Sequence, residues 1–102
     1  MKDFFRSVLE SGDELRSLQL LEERDPIGAR PGELEEATRR YRQLQEQARA
    51  IIDAIPSRRH RQVLTLRYLC GMSWSEITDE MGYSEEKSAF RVHGRALQMA
   101  EK

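Results

Sequence analysis

A single cysteine, Cys70, occurs in the 102 residues. That excludes an internal disulfide and leaves no thiolate quartet for a structural metal. His60 and His93 offer no substitute, because neither has a second ligand three or four residues away. Long apolar runs are missing too, and nothing approaches the roughly 20 residues that a membrane span requires. The opening MKDFFRSVLE is broken by charge, unlike a secretory signal. A cytoplasmic protein is the simplest expectation. Alternating β-branched runs bounded by turn residues are absent, which argues against a sheet. No glycine-rich phosphate cradle and no Ser/His/Asp grouping stands out, so neither an enzyme nor a bound cofactor is expected. Nor does one sign of charge dominate: 17 Lys+Arg face 18 Asp+Glu, a net charge of −1. Taken whole, that balance argues against nucleic acid as a partner.

Charge is nonetheless abundant and unevenly placed. Charged residues make up 34% of the chain, against about 25% in an average soluble protein, as suits solvated helices. Residues 1–55 hold nine Lys/Arg and twelve Asp/Glu; residues 56–102 hold eight and six. The first part is thus at −3 and the second at +2. A chain of this length has room for one small domain, or for a small domain with a helical extension.

The apolar spacing predicts an all-α chain of five helices. The first runs from about Lys2 to Arg24, with Phe4, Phe5, Val8, Leu15, Leu18 and Leu21 as an imperfect stripe that Gly12 weakens. Residues 25–32, with two prolines and two glycines, read as a hinge. The second helix, 33–55, carries a heptad seam of Leu34, Ala37, Tyr41, Leu44, Ala48, Ile51 and Ile55 in alternating steps of three and four. Such a seam must be covered. Either the first helix folds back as a hairpin, or a second protomer docks in a coiled-coil homodimer through Leu34, Tyr41, Leu44, Ala48, Ile51 and Ile55; a dimer of hairpins satisfies both. Pro56 stops this helix, so 1–55 reads as a helical arm and 56–102 as a separate domain. Ser57 is the expected N-cap of a third helix, Arg58 to Cys70, ended by Gly71.

The remaining residues predict a helix-turn-helix. Ser73 and Glu76 fit the S-x-x-E capping box at the start of a supporting helix, Ser73–Met81. Gly82 suits the sharp turn, Tyr83 the corner, and Ser84 the N-cap of a recognition helix, Ser84–Ala100. On that last helix Ala89, Val92 or His93, Ala96 and Ala100 face inward, with Phe90 and Leu97 widening the apolar face. Lys87, Ser88, Arg91 and Arg95 are left to solvent. A recognition helix enters the major groove by its N-terminal residues. Lys87, Ser88 and Arg91 are therefore placed to reach base edges and Arg95 a phosphate, while Glu85 and Glu86 can accept from cytosine or else repel phosphate. Arg58, Arg59 and Arg61, around His60, form either a solvated cluster or a phosphate clamp. Cys70, Tyr68, Trp74 and Phe90 read as packing residues, and His93 as a core or capping histidine.

The string Arg61-Gln62-Val63-Leu64-Thr65-Leu66-Arg67-Tyr68, followed by Ser73-Trp74-Ser75-Glu76-Ile77, Gly82-Tyr83-Ser84 and Arg91-Val92-His93, resembles region 4 of sigma-70-family transcription initiation factors. The likeness spans roughly residues 55–100. With Gly94-Arg95-Ala96-Leu97 added, the chain is also similar to small phage and prophage regulators built on that domain. The resemblance implies a sequence-specific DNA-binding transcription regulator, with RNA polymerase as a further partner. Two other roles remain open: a sigma-like interaction module that binds polymerase or another factor without DNA, and a phage DNA-packaging subunit of the small-terminase kind. The chain departs from the sigma pattern at Thr78, where a small alanine is usual and looser packing is expected. It also departs at Ser88-Ala89, where a larger aliphatic is common. Nothing in it resembles the sigma region that melts promoter DNA.

Overall fold

The computed structural model of the protein describes residues 1–24 and 32–101, and every regular element among them is helical. Helix α1 spans Lys2–Arg24 and α2 spans Glu33–Asp53. Helix α3, Arg58–Leu64, runs on into a π-helical turn, Thr65–Leu69, and is followed by α4, Trp74–Glu80, and α5, Glu86–Ala100. The chain is therefore all-α: an N-terminal hairpin of α1 and α2, then a helix-turn-helix. Most of the expected hinge, residues 25–31, lies outside the described residues. Its last member, Gly32, stands at the N-cap of α2 with φ 87°.

Helices α1 and α2 pack antiparallel. Gly12 meets Tyr41, and two residues further on Glu14 pairs with Arg40 at 3.3 Å, so α2 retreats as α1 advances. The seam is thus covered in part within one chain. Ala37, Ala48 and Ile55 are buried, and Leu34, Tyr41, Leu44 and Ile51 are half-buried. Ile52, which lies off the seam, is buried as well, because a helix packed in a hairpin buries a wider stripe than a coiled-coil seam. Ala48 and Ile55, two of the residues expected to face a second protomer, are enclosed by their own chain. On α1 the stripe fails at its far end, where Leu20 and Leu21 are exposed.

Gly12 is a packing device more than a weak point. A Cβ added there would stand 3.1 Å from Tyr41 Cε1, so its absence is what lets the tyrosine ring lie against α1. At the other end, α2 stops at Asp53, two residues before the expected limit. The Ile55 N–H donates to the Ile52 carbonyl at 3.0 Å, the tighter bonding of a fraying last turn.

One core joins hairpin and helix-turn-helix. Phe5 and Val8 of α1, Ile52 of α2, Val63 and Leu64 of α3, Tyr68, Ile77 of α4 and Ala89 of α5 belong to a single buried cluster. The π turn delivers Tyr68 into it, with the Cys70 N–H reaching back five residues to the Thr65 carbonyl at 3.0 Å. The Tyr68 ring centre lies 4.8 Å from that of Phe5 and 5.7 Å from that of His93. Cys70, expected inside, is exposed; the chain turns away from the core there, and Gly71 follows with φ 68°. Thr78 is buried, and its hydroxyl donates to the Trp74 carbonyl at 2.7 Å. Its hydroxyl is thereby satisfied within α4.

Candidate nucleic-acid interface

The capping box at the head of α4 is formed in both directions. Glu76 N–H donates to Ser73 Oγ at 3.2 Å, and Ser73 N–H donates to Glu76 Oε1 at 3.3 Å. Two of the backbone donors that a helix start leaves free are thereby satisfied. Downstream, Gly82 takes φ 73° and Tyr83 N–H closes onto the Thr78 carbonyl at 2.9 Å. This left-handed turn costs a glycine little and would strain any residue with a Cβ. Tyr83, half-buried, packs against the core at the corner, as its position predicts.

The start of α5 differs from expectation. Ser84 does not cap it. The N-cap is Glu85, extended at φ −140° and without a side-chain bond to the helix, and the first helical residue is Glu86. Ser88 N–H donates to the Glu85 carbonyl at 3.2 Å. The helix therefore begins one residue late, which places Lys87 and Ser88 in its first turn.

Ala89, Ala96 and Leu97 are buried, and Val92, His93 and Ala100 are half-buried. Their small side chains bring α5 close under α3, the element it packs against most extensively. The opposite face carries Lys87, Arg91 and Arg95, all exposed and four residues apart. That spacing places them on one slowly turning ridge. Gly94 and Gln98, also exposed, share the face. Ser88 is half-buried on its flank. Phe90 is 45% exposed, and meets Trp74 edge-on at 4.9 Å between ring centres. The sequence counted it as core, but it sits on the rim.

Of the basic cluster on α3, Arg58 and Arg59 are exposed. Arg61 is half-buried, and its guanidinium donates to the Ile55 carbonyl at 2.7 Å, tying α3 to the end of α2. His60 Nδ1 lies 2.7 Å from Ser57 Oγ. The pKa of His60 is lowered, first by burial and then by the positive charges of Arg59 and Arg95. Those two arginines, from α3 and α5, therefore bring positive charge to the same ring. The structure thus places Lys87, Arg91 and Arg95 on one exposed face of α5, and Arg59 of α3 within electrostatic reach of the same histidine as Arg95. Arg67 is occupied elsewhere, donating to the Met72 carbonyl at 3.0 Å with its guanidinium 4.9 Å from the Trp74 ring centre.

Sequence reasoning missed the pair beneath the interface. Tyr68 Oη and His93 Nε2 lie 2.7 Å apart. Burial, then the charges of Arg67 and Lys2, lower the His93 pKa to about 4, so the ring is neutral at pH 7. Burial raises the Tyr68 pKa against the opposing pull of Arg67 and Arg6, so the phenol keeps its proton and donates to the histidine. The two residues are 25 apart in sequence, and no local signal links them.

Among the described residues no group of His, Cys, Asp and Glu could hold a metal ion, and no helix is long and apolar enough to cross a membrane.

Residues 57–87 match the family described as Sigma-70, region 4. The matched span begins at the N-cap of α3 and ends in the first turn of α5, so it holds the turn and both of its shoulders. This segment, less than half of the chain, is similar to sigma-70 region 4, and that similarity suggests DNA binding. No curated protein and no solved structure matches the chain.

Proposed function

We propose that this protein is a sequence-specific DNA-binding regulator of transcription, of the phage or prophage kind, acting in the cytoplasm and catalysing no reaction. The observation that carries the reading is the outward ridge of Lys87, Arg91 and Arg95 on the second helix of a sigma-70 region 4 turn. With α5 in the major groove, Lys87, Ser88 and Arg91 read base edges. Arg95, together with Arg58, Arg59 and the remaining donors of Arg61, holds phosphates. The domain 56–102 reads the duplex, and the arm 1–55 supports it. Fluorescence anisotropy with labelled duplexes from the flanking promoter region tests this. Binding should weaken steeply as salt rises. Arg91→Ala should cost about 1–3 kcal/mol on the preferred site and little on random DNA. No binding at low salt would overturn the reading.

The exposed Phe90, packed on Trp74, favours a second reading in which the domain also docks on protein, with RNA polymerase as the partner. Co-purification with polymerase that Phe90→Ala abolishes would support it, and retention by the variant would count against it. The proposal includes a homodimer seated on Leu34, Tyr41, Leu44 and Ile51, which their own chain leaves half-exposed. Analytical ultracentrifugation showing only monomer at high concentration would remove that part.

A further inference from the structure

Helix α5 carries a glycine that its own fold does not require. Gly94 sits in the middle of α5, without the positive φ of Gly32, Gly71 and Gly82. A Cβ added there meets no atom within 4 Å. Alanine would fit and would favour the helix, because glycine is among the poorest residues for a helix interior. The contrast with Gly12 is direct, since there the missing Cβ admits Tyr41. Among the described residues nothing occupies the space that its missing side chain leaves.

Its surroundings indicate what would occupy that space. Gly94 shares the exposed face of α5 with Arg91 and Arg95, and among the described residues neither arginine makes an ion pair. The His60 pKa is lowered first by burial and then by the charges of Arg59 and Arg95, so Arg95 shares its electrostatic neighbourhood with a cation of α3. Length along the helix agrees. Gly94 is eight residues beyond Glu86, roughly 12 Å at the rise of an α-helix, and a major groove is about 8.5 Å deep, so a helix inclined out of the groove has reached its rim by that residue. A helix whose first turn reads bases on the groove floor is leaving the groove near Gly94, where the sugar–phosphate chain forms its lip.

We infer that Gly94 is the point at which the DNA backbone packs directly against α5, its bare Cα letting the strand approach while Arg95 grips the adjoining phosphate. This rests on the groove-binding reading of α5 and adds a specific close contact to it. The contact involves no base, so it serves every sequence equally.

The test measures two quantities that move in opposite directions. Gly94→Ala and Gly94→Gln are compared with the unaltered protein in thermal melting and in anisotropy with a random-sequence duplex at low salt. Both variants should melt higher, by roughly 4 °C for alanine. Both should bind more weakly, by roughly tenfold for alanine and further for glutamine, with the slope of affinity against salt unchanged. Arg95→Ala should instead reduce that slope by about 1. Variants that melt higher yet bind as tightly as the unaltered protein would overturn the close contact and leave groove binding intact. If the unaltered protein fails to bind, groove binding and the contact fall together.

Discussion

Tyr68 and His93 meet at 2.7 Å where the π turn, α5 and the first turn of α1 converge. Trp74 closes the group, its ring centre 4.9 Å from that of His93. A neutral imidazole accepts the phenol proton there, and a charged one cannot. Burial and the nearby charges of Arg67 and Lys2 both oppose protonation.

Stability should therefore depend on acid. The folded-state pKa of His93 is about 4, below the roughly 6.5 of an unfolded chain. Between those values the unfolded state binds the extra proton, so stability rises with pH. Its contribution is complete above about 6.5 and falls away as pH drops towards 4. His60, lowered for similar reasons, acts in the same direction. Chemical denaturation at several pH values should show a shallower acid loss for His93→Gln than for the unaltered protein. Equal slopes would mean that His93 stays hydrated.

Ser11 and Gly12 make a contrasting pair on α1. Ser11 Oγ is buried and has no hydrogen-bond partner among the described residues. Replacing it by alanine removes an unsatisfied group, and should stabilise the fold by about 1 kcal/mol. Gly12→Leu drives a side chain into Tyr41 and should destabilise by about 1–3 kcal/mol. Urea midpoints of the two variants should move apart, and a fall for Ser11→Ala would mean that the hydroxyl is in fact bonded.

The capping box gives a local test. Ser73→Ala deletes the acceptor of the Glu76 N–H and should cost about 1 kcal/mol. Ser84→Ala should cost far less, because Ser84 caps nothing. Similar losses in thermal melting would restore Ser84 as a cap.

Arginines that look alike in sequence should separate by assay. Arg61→Ala breaks the bond to the Ile55 carbonyl and should lower stability by about 1–2 kcal/mol. Arg58→Ala, at an exposed position, should leave melting within about 0.5 kcal/mol of the unaltered protein while weakening DNA binding. If Arg61→Ala melts normally, its guanidinium is free for phosphate.

The helix-turn-helix was legible because its signals are local. Ser73 and Glu76 are three residues apart, and Gly82 needs only its own φ to turn the chain. The face of α5 was legible for the same reason, since helical periodicity separates Ala89 and Ala96 from Lys87, Arg91 and Arg95. What could not be read depends on residues distant in sequence. Gly12 looks like a flaw until Tyr41 lies against it, and Arg61 looks like one basic residue among several until the Ile55 carbonyl claims it. Cys70 and Phe90 were misplaced for a related reason. Apolar character does not say which member of a stripe falls at its rim, and the π turn before Cys70 breaks the period on which such counting relies. At Ser84 the local signal itself misled, since a good capping residue stands one position before the N-cap that the chain adopts.

The aromatic chain from Phe4 through Phe5, Tyr68, His93 and Trp74 to Phe90 has a mechanical consequence. Rings in contact from the first turn of the hairpin to the first turns of α5 resist bending at the point where arm and reader join. Hairpin and helix-turn-helix are thereby held together through Tyr68. On the proposed groove-binding role of α5, a partner that takes hold of the hairpin's far end, near the exposed Leu20 and Leu21, would set the angle at which α5 meets a duplex.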